Sequence, residues 1–154
     1  MGVAKVKRGY FGIGIYYPKK STNVGTLWRS ALNFGASFIF VIGARYQRQP
    51  GDTQNVAAHV PFYEFNDWES FLKFMPINCH LIGIEKTEKS LSIKSFFHRE
   101  RSVYILGAED NGLPFNVFER CYQVVHIDTP FCLNVATAGS IIMFDRQQKE
   151  NNNE

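Results

Sequence analysis

The stretch YILGAEDNGLPFNVF, residues 104–118, is the part of the chain that most constrains the fold, because an apolar run passes there into a turn-rich loop. The loop holds two glycines, two acids, an asparagine and a proline, which favour tight turns and helix starts. The pattern predicts a strand that ends at Leu106 and a helix whose first turn holds Pro114. The stretch contains no Ser/His/Asp set, cysteine pair or phosphate-loop lysine, so a site here would consist mostly of main chain.

Strand-like and helix-like segments alternate along the rest of the chain. Apolar strands are predicted at residues 10–16, 36–42, 60–65, 79–85, 102–106 and 123–127. Helices are predicted at residues 24–34, 68–74, after Pro114 and at 134–147, whereas residues 86–101 fit neither pattern. This alternation predicts an α/β fold with a mostly parallel sheet flanked by helices.

Local signals mark the ends of the predicted helices. Thr22 or Asn23 is expected to cap the first helix, and Gly35 is expected to end it. Asn66 or Asp67 is expected to cap the second helix.

Composition limits the class of protein. With 154 residues, 45% of them hydrophobic and 20% charged, the chain fits one soluble domain, here residues 1–147, followed by a polar, disordered tail at 148–154. The net charge of +3 permits nucleic acid as a partner without requiring it. The odd number of cysteines and the absence of a CxxC motif favour reduced thiols and a cytoplasmic location. No apolar run is long enough to span a membrane, and no histidine spacing predicts a metal site.

The last predicted helix is apolar around most of its circumference, with four apolar residues in a row at 141–144. Such a helix needs cover on most sides. Either it crosses the sheet at the centre of the domain or a second subunit covers it, and the sequence leaves both open.

Ligands of parallel α/β proteins bind at the carboxyl ends of the strands, so the loops there hold the candidate residues. Arg29 stands among apolar neighbours and could grip a carboxylate or a phosphate. Glu109 is the acid best placed to face the cleft, although its loop could be a simple turn. Asn23 and Asn134 stand at helix starts, where each could equally be a cap.

Three segments together resemble a known family. NVGTLWRSALNFGA, LGAEDNGLP and TPFCLNVATAGSIIMFDR have the order and rough spacing of the three motifs of the SpoU (TrmH-like) branch of the SPOUT RNA methyltransferases. The resemblance spans about Tyr10 to Arg146 and implies a single SPOUT domain with a C-terminal trefoil knot, in a homodimer. It also implies S-adenosylmethionine as cofactor and RNA, with tRNA favoured, as the substrate of ribose 2′-O-methylation. The alternative is a knotted dimer that binds RNA or cofactor with little or no turnover.

The resemblance also assigns residues. The family's functional positions correspond to Arg29, Asn23, Glu109 and Asn134. The cofactor pocket would be lined by Ile84, Glu85, Leu106, Gly107, Gly112, Ile127, Cys132 and Leu133. RNA contacts are expected from Lys19, Lys20, Arg45 and Arg48. Cys132 departs from the family pattern, which usually has serine there, and a thiol is the weaker hydrogen-bond partner.

Overall fold

The computed structural model describes residues 9–44 and 59–152. Seven strands form one sheet in the order β3-β2-β1-β6-β4-β7-β5. The strands are β1 (Tyr10–Tyr16), β2 (Phe38–Ile42), β3 (Phe62–Phe65), β4 (His80–Ile84), β5 (Leu91–Ser92), β6 (Arg101–Gly107) and β7 (Gln123–His126). In the two described ranges, the helices are α1 (Ser21–Phe34), α2 (Trp68–Phe74), α3 (Phe115–Phe118) and α4 (Val135–Asn152), and a 3-10 turn spans Ile93–Ser95.

Every pair of neighbouring strands in this sheet is parallel. The prediction of an α/β fold with a parallel sheet flanked by helices is therefore confirmed. The segment that fitted neither pattern forms β5 and the 3-10 turn. No helix among the described residues is both long enough and apolar enough to cross a bilayer.

The helix ends confirm some of the predicted caps and correct one of them. Gly35 ends α1 in the left-handed conformation at φ 78°, and Asp67 caps α2 by accepting a hydrogen bond from the Ser70 N–H at 2.8 Å. The prediction that Thr22 or Asn23 caps α1 is wrong. The helix begins one residue after Lys20, which makes no side-chain cap. Asn23 lies inside the first turn, and its side chain donates to Glu109 instead.

Apolar side chains pack on both faces of the sheet. On one face α1 and α4 cover the strands, with Ile13, Leu27 and Ile142 among the fully buried residues. On the other face α2 and α3 contribute Phe71 and Val117 to a second core. All five residues of β2 are buried, as its continuous apolar run predicted.

A buried arginine anchors the second half of α4. Arg146 is 2% exposed and donates to the carbonyl oxygens of Arg99 and Glu100 at 2.8 Å each, and to the Tyr104 hydroxyl at 3.0 Å. These contacts hold the helix against the start of β6. The helix continues to Asn152, past its predicted end at residue 147 and through most of the predicted polar tail.

Candidate active site

A cavity of about 450 Å³ opens where β4, β6 and β7 end. These three strands are neighbours in the sheet, with β4 paired to both β6 and β7, so their carboxyl ends lie side by side. The loops that follow them form three walls of the cavity, and Val135 and Ala138 of α4 form a fourth. The cavity therefore has the location expected for a ligand site in a parallel sheet.

All eight residues predicted to bind a cofactor line this cavity. They are Ile84, Glu85, Leu106, Gly107, Gly112, Ile127, Cys132 and Leu133. Further lining residues that were not predicted from the sequence include Lys86, Thr87, His126, Thr129 and Phe131. Their position near the end of a predicted strand is the signal that could have identified them.

The loop after β6 folds back on itself. Ala108 and Gly112 form an antiparallel bridge, and the Gly112 N–H donates to the Ala108 carbonyl at 3.1 Å. Gly112 has φ 59°, which confirms the predicted tight turn. A Cβ on Gly107 would lie 2.7 Å from the Gly112 Cα, so the close approach at Gly107 is made by the chain's own loop.

The Glu85 side chain forms a hydrogen bond that supports the loop after β6. Its Oε2 accepts from the Leu113 N–H at 3.3 Å, and its Oε1 accepts from the Lys86 N–H at 3.2 Å. A Cβ on Gly112 would collide with this carboxylate. The carboxylate therefore fixes both the shape of the loop and one wall of the cavity.

Three of the four predicted catalytic residues meet in one hydrogen-bonded cluster. Asn23 donates from Nδ2 to Glu109 Oε1 at 2.9 Å. Asn134 donates from Nδ2 to Asn23 Oδ1 at 2.9 Å and to the same Glu109 oxygen at 3.2 Å. The starts of α1 and α4 and the loop after β6 are thereby joined, beside the cavity that Glu109 helps to line.

Asn134 and Glu109 each have a further property besides their hydrogen bonds within the cluster. Asn134 also caps α4, because its Oδ1 accepts from the Thr137 N–H at 3.1 Å. Glu109 is exposed, and its Oε2 makes no hydrogen bond to any residue in ranges 9–44 and 59–152. One oxygen of a positioned carboxylate is therefore available to accept a hydrogen bond from a ligand.

Arg29 does not belong to the hydrogen bonds of the cluster. Its sequence neighbours Leu27 and Trp28 are buried, whereas Arg29 lies on the exposed face of α1. Six residues separate it from Asn23, which places the two side chains about 120° apart around the helix. The apolar surroundings expected from the sequence are those of its neighbours, and the Arg29 side chain itself is exposed.

The predicted RNA-binding lysines precede α1. Lys19 Nζ forms an ion pair with Asp110 Oδ2, and both side chains are largely exposed. The hydrogen bond and charge of Lys19, helped by the charge of Lys20, lower the pKa of the Asp110 carboxyl. The other two residues predicted to contact RNA, Arg45 and Arg48, lie outside the described residues.

Ser90, His126 and Asp128 are arranged like a catalytic triad at the cavity wall, but the Ser90 hydroxyl does not donate its proton to the histidine. Ser90 Oγ lies 2.8 Å from His126 Nδ1, and His126 Nε2 lies 3.3 Å from Asp128 Oδ1. The Ser90 hydroxyl, however, donates to the Thr87 carbonyl at 2.7 Å, so its proton is directed to main chain. The arrangement instead holds the loop after β4 against the end of β7.

Residues 11–144 match the family model of the SpoU rRNA Methylase family. The chain is a member of the SpoU family. The predicted resemblance to this family is confirmed. The knot implied by the resemblance stays a prediction.

Individual proteins agree with membership of the SpoU family. The chain is 26% identical over 141 residues to the mouse tRNA (guanosine(18)-2′-O)-methyltransferase TARBP1, covering 84% of this chain and 9% of the mouse protein. The chain thus spans about a tenth of the length of this curated relative.

Solved structures show the same fold. The SpoU methyltransferase AviRb of Streptomyces viridochromogenes, in complex with AdoMet, superposes with a TM-score of 0.78 at 19% identity, covering 95% of this chain and 60% of that one. A second solved structure, described as concerning 2-OH methylation of C/U34 on tRNA, superposes with a TM-score of 0.77 at 19% identity. The match covers 94% of this chain and 98% of that one.

Among the described residues, no group of three or more His, Cys, Asp or Glu side chains could hold a metal ion. Cys132, which replaces the usual serine of the SpoU family motif, is exposed at the cavity.

Proposed function

We propose that this chain is an S-adenosylmethionine-dependent RNA ribose 2′-O-methyltransferase that acts on tRNA. The observation that carries the proposal is the cluster of Asn23, Glu109 and Asn134 beside the cavity at the strand ends. Membership of the SpoU family supports the reaction class. The mouse relative methylates a 2′-hydroxyl of tRNA and the C/U34 structure concerns the same kind of reaction, which supports the 2′-hydroxyl as the methylated group and tRNA as the substrate.

The cavity suits S-adenosylmethionine. Its volume of about 450 Å³ falls within the range of small-ligand sites. Leu106, Ile127 and Leu133 offer apolar surface for an adenine ring, and the loops offer main-chain N–H and C=O groups for its edge. When bound, the cofactor supplies an electrophilic methyl group, and the protein supplies alignment.

The polar cluster would serve the acceptor. The ribose hydroxyl must be oriented toward the methyl donor and must give up its proton. Glu109 Oε2 can accept the hydrogen bond of that hydroxyl, while Asn23 and Asn134 hold Oε1 and fix the plane of the carboxylate. The cluster would therefore set the direction from which the hydroxyl oxygen approaches.

Arg29 would serve the phosphate next to the acceptor ribose. A guanidinium stays charged at physiological pH, so it is not a base, but it binds phosphate oxygens through two parallel hydrogen bonds. Its place on the exposed face of α1 suits contact with an incoming chain. Lys19 and Lys20 would add charge on the same side of the site, where α1 begins.

We further propose that two copies associate through α1 and α4. Phe34 and Phe144 meet edge to face at 6.4 Å, and Phe144 remains 52% exposed on the outer side of α4. A large apolar side chain next to a second aromatic ring is the type of surface that a subunit interface buries. The predicted homodimer would cover it.

Methyl transfer from labelled S-adenosylmethionine to total tRNA, followed by mass spectrometry of nucleosides, tests the proposal. We expect a ribose-methylated nucleoside with the wild-type chain and with Asn33→Ala, and none with Asn23→Ala. Asn33 is the matched control because it is an exposed asparagine of the same helix outside the cluster. A methylated base, or transfer that Asn23→Ala leaves unchanged, would refute the proposed chemistry.

Calorimetry separates this function from binding of another nucleotide and from the alternative with little or no turnover. We expect S-adenosylmethionine to bind and ATP and NAD not to bind. Binding of cofactor and RNA without any methyl transfer would instead support the knotted dimer with little or no turnover.

A further inference from the structure

Phe131 presents a nearly bare aromatic ring at the cavity. The side chain is 85% exposed, the largest value among the big hydrophobic side chains of the described residues. Of the exposed aromatic residues in that part of the chain, it alone lines the cavity, whereas Phe115 is 75% exposed outside it. An exposed ring at a binding site, with little apolar cover of its own, marks a surface for contact with another molecule.

The backbone that carries the ring is held in place. The Thr129 hydroxyl donates to the Phe131 carbonyl at 2.9 Å, and the Thr129 N–H donates to the Ile127 carbonyl at 2.9 Å. Lys86 Nζ donates to the Thr129 carbonyl at 3.4 Å, and Pro130 restricts the chain just before the ring. The exposed ring therefore projects from a loop whose backbone is held by hydrogen bonds.

The ring also lies close to the polar cluster along the chain. Asn134 follows Phe131 by three residues, which keeps their Cα atoms within about 11 Å. A nucleoside whose 2′-hydroxyl reaches the cluster carries its base on the adjacent ribose carbon. That base would lie within reach of a ring on the same wall of the site.

We propose that Phe131 is the stacking platform for the base of the acceptor nucleotide. This inference rests on the proposed function, and it narrows the substrate to an unpaired nucleotide in a single-stranded loop. A paired base has both faces covered by its neighbours, whereas a splayed-out base offers a face to an aromatic ring. Such stacking tolerates any base, so Phe131 would select the unpaired state of the nucleotide and not its identity.

Two variants and a matched control test this role. Phe131→Ala removes the ring, and Phe131→Trp replaces it with a larger stacking surface. Phe115→Ala removes another well-exposed ring that lies outside the cavity. The probes are a fluorescent twelve-nucleotide single-stranded RNA, read by anisotropy, and the same RNA annealed to its complement. Calorimetry with S-adenosylmethionine and light scattering are run on each variant.

We expect Phe131→Ala to bind the single strand about 5- to 150-fold more weakly, the loss that follows from one missing base–aromatic stack. Phe131→Trp and Phe115→Ala should bind it as wild type does. Duplex binding, cofactor affinity and molar mass should be unchanged in all three variants.

Three outcomes would overturn the proposal. Unchanged single-strand binding by Phe131→Ala would show that the ring makes no stack. A loss of cofactor affinity would place the ring on the cofactor, and a change in molar mass would place it in a subunit contact. Because these measurements need no turnover, they stay separate from the test of methyl transfer, which alone decides the proposed function.

Discussion

Asn134 donates a hydrogen bond to Glu109 across 25 positions of the chain, at 3.2 Å. The same amide nitrogen reaches Asn23, 111 positions away, at 2.9 Å. Its oxygen meanwhile caps α4 by accepting from the Thr137 N–H. One side chain thus joins the start of a helix to the polar cluster, and its two functions can be separated by mutation.

Substitution of Asn134 by serine should retain the cap and lose the amide donor. We expect Asn134→Ser to unfold near the wild-type temperature, because serine caps about as well as asparagine. Its methyl transfer should fall about 10- to 100-fold, the effect of a lost hydrogen bond to a charged group. Asn134→Ala should lose the cap too and be about 1 kcal/mol less stable. Thermal unfolding and methyl-transfer rates measure both, and normal transfer by Asn134→Ser would contradict the expectation.

Removal of the Arg29 guanidinium should separate cofactor binding from catalysis. We expect Arg29→Ala to bind S-adenosylmethionine as wild type does, because Arg29 lies on the exposed face of α1, away from the cavity lining. Methyl transfer should fall at least about tenfold, since a bidentate phosphate contact is lost. Arg29→Lys keeps the positive charge but loses the bidentate guanidinium geometry, so it should show an intermediate rate. Calorimetry and initial rates give the comparison, and a normal rate for Arg29→Ala would show that the residue has no part in the acceptor site.

A methyl group at Gly112 should damage the cofactor site. The residue has φ 59°, and a Cβ there would collide with the Glu85 carboxylate that supports the loop. We expect Gly112→Ala to bind S-adenosylmethionine about tenfold more weakly and to lose about 1–2 kcal/mol of stability.

The matched control for Gly112→Ala is Gly35→Ala, at φ 78° after α1. It carries a similar conformational cost and lies outside the cavity lining. Calorimetry should therefore show a loss of cofactor affinity for Gly112→Ala only. Equal losses in both variants would mean that general destabilisation, and not the Glu85 collision, is responsible.

Buried His98 should make the protein less stable in mild acid. Its Nδ1 lies 2.6 Å from the Tyr104 hydroxyl and its Nε2 lies 2.7 Å from Asp145 Oδ2. Burial lowers the pKa of His98 from 6.5 to about 4, although Asp145 opposes the shift. The unfolded chain therefore binds a proton between pH 6.5 and 4 that the folded chain does not, and stability falls as pH falls through this window.

This loss would amount to about 3 kcal/mol, with the full stability present above pH 6.5. Urea unfolding between pH 4 and pH 8 measures the slope. His98→Gln, which does not titrate, should remove the part of the slope that His98 contributes. A variant with the wild-type slope would show that other groups cause the pH dependence.

A charge at Phe144 should separate the proposed dimer. Phe144→Asp places a carboxylate on the outer side of α4, where Phe144 is 52% exposed beside Phe34. We expect wild type to be a dimer and the variant a monomer in light scattering at micromolar concentration. Phe97→Asp is the control, because Phe97 is also exposed, at 71%, and lies outside α4. A wild-type monomer would refute the predicted homodimer.

Features set by nearby residues were predictable from the sequence. The long strands followed from continuous apolar runs, and the Gly35 and Asp67 caps followed from local backbone chemistry. The location of the cavity followed from the rule that ligands of parallel sheets bind at the carboxyl ends of the strands. The resemblance to the SpoU family then selected which loop residues mattered.

Features set by distant residues were not predictable. The two-residue strand β5 is too short to show periodicity. Asn23 has the appearance of a helix cap in sequence, but its partner Glu109 lies 86 positions away. The outward direction of Arg29 depends on which face of α1 packs on the sheet. The end of α4 lies beyond residue 147, where Lys149 Nζ donates to the carbonyls of Ile93 and Phe96, which are 56 and 53 positions away in the chain.

The two contacts that hold α4 lie at opposite ends of the strands. Asn134 fixes the start of the helix at the cavity, and Arg146 is held against the amino-terminal start of β6. Between them the helix acts as a stiff rod of roughly 18 Å, since each residue adds 1.5 Å. A mutation that removes the Arg146 contacts would therefore let this helix shift and would weaken the hydrogen bond between Asn134 and Glu109, although Arg146 lies far from the cavity.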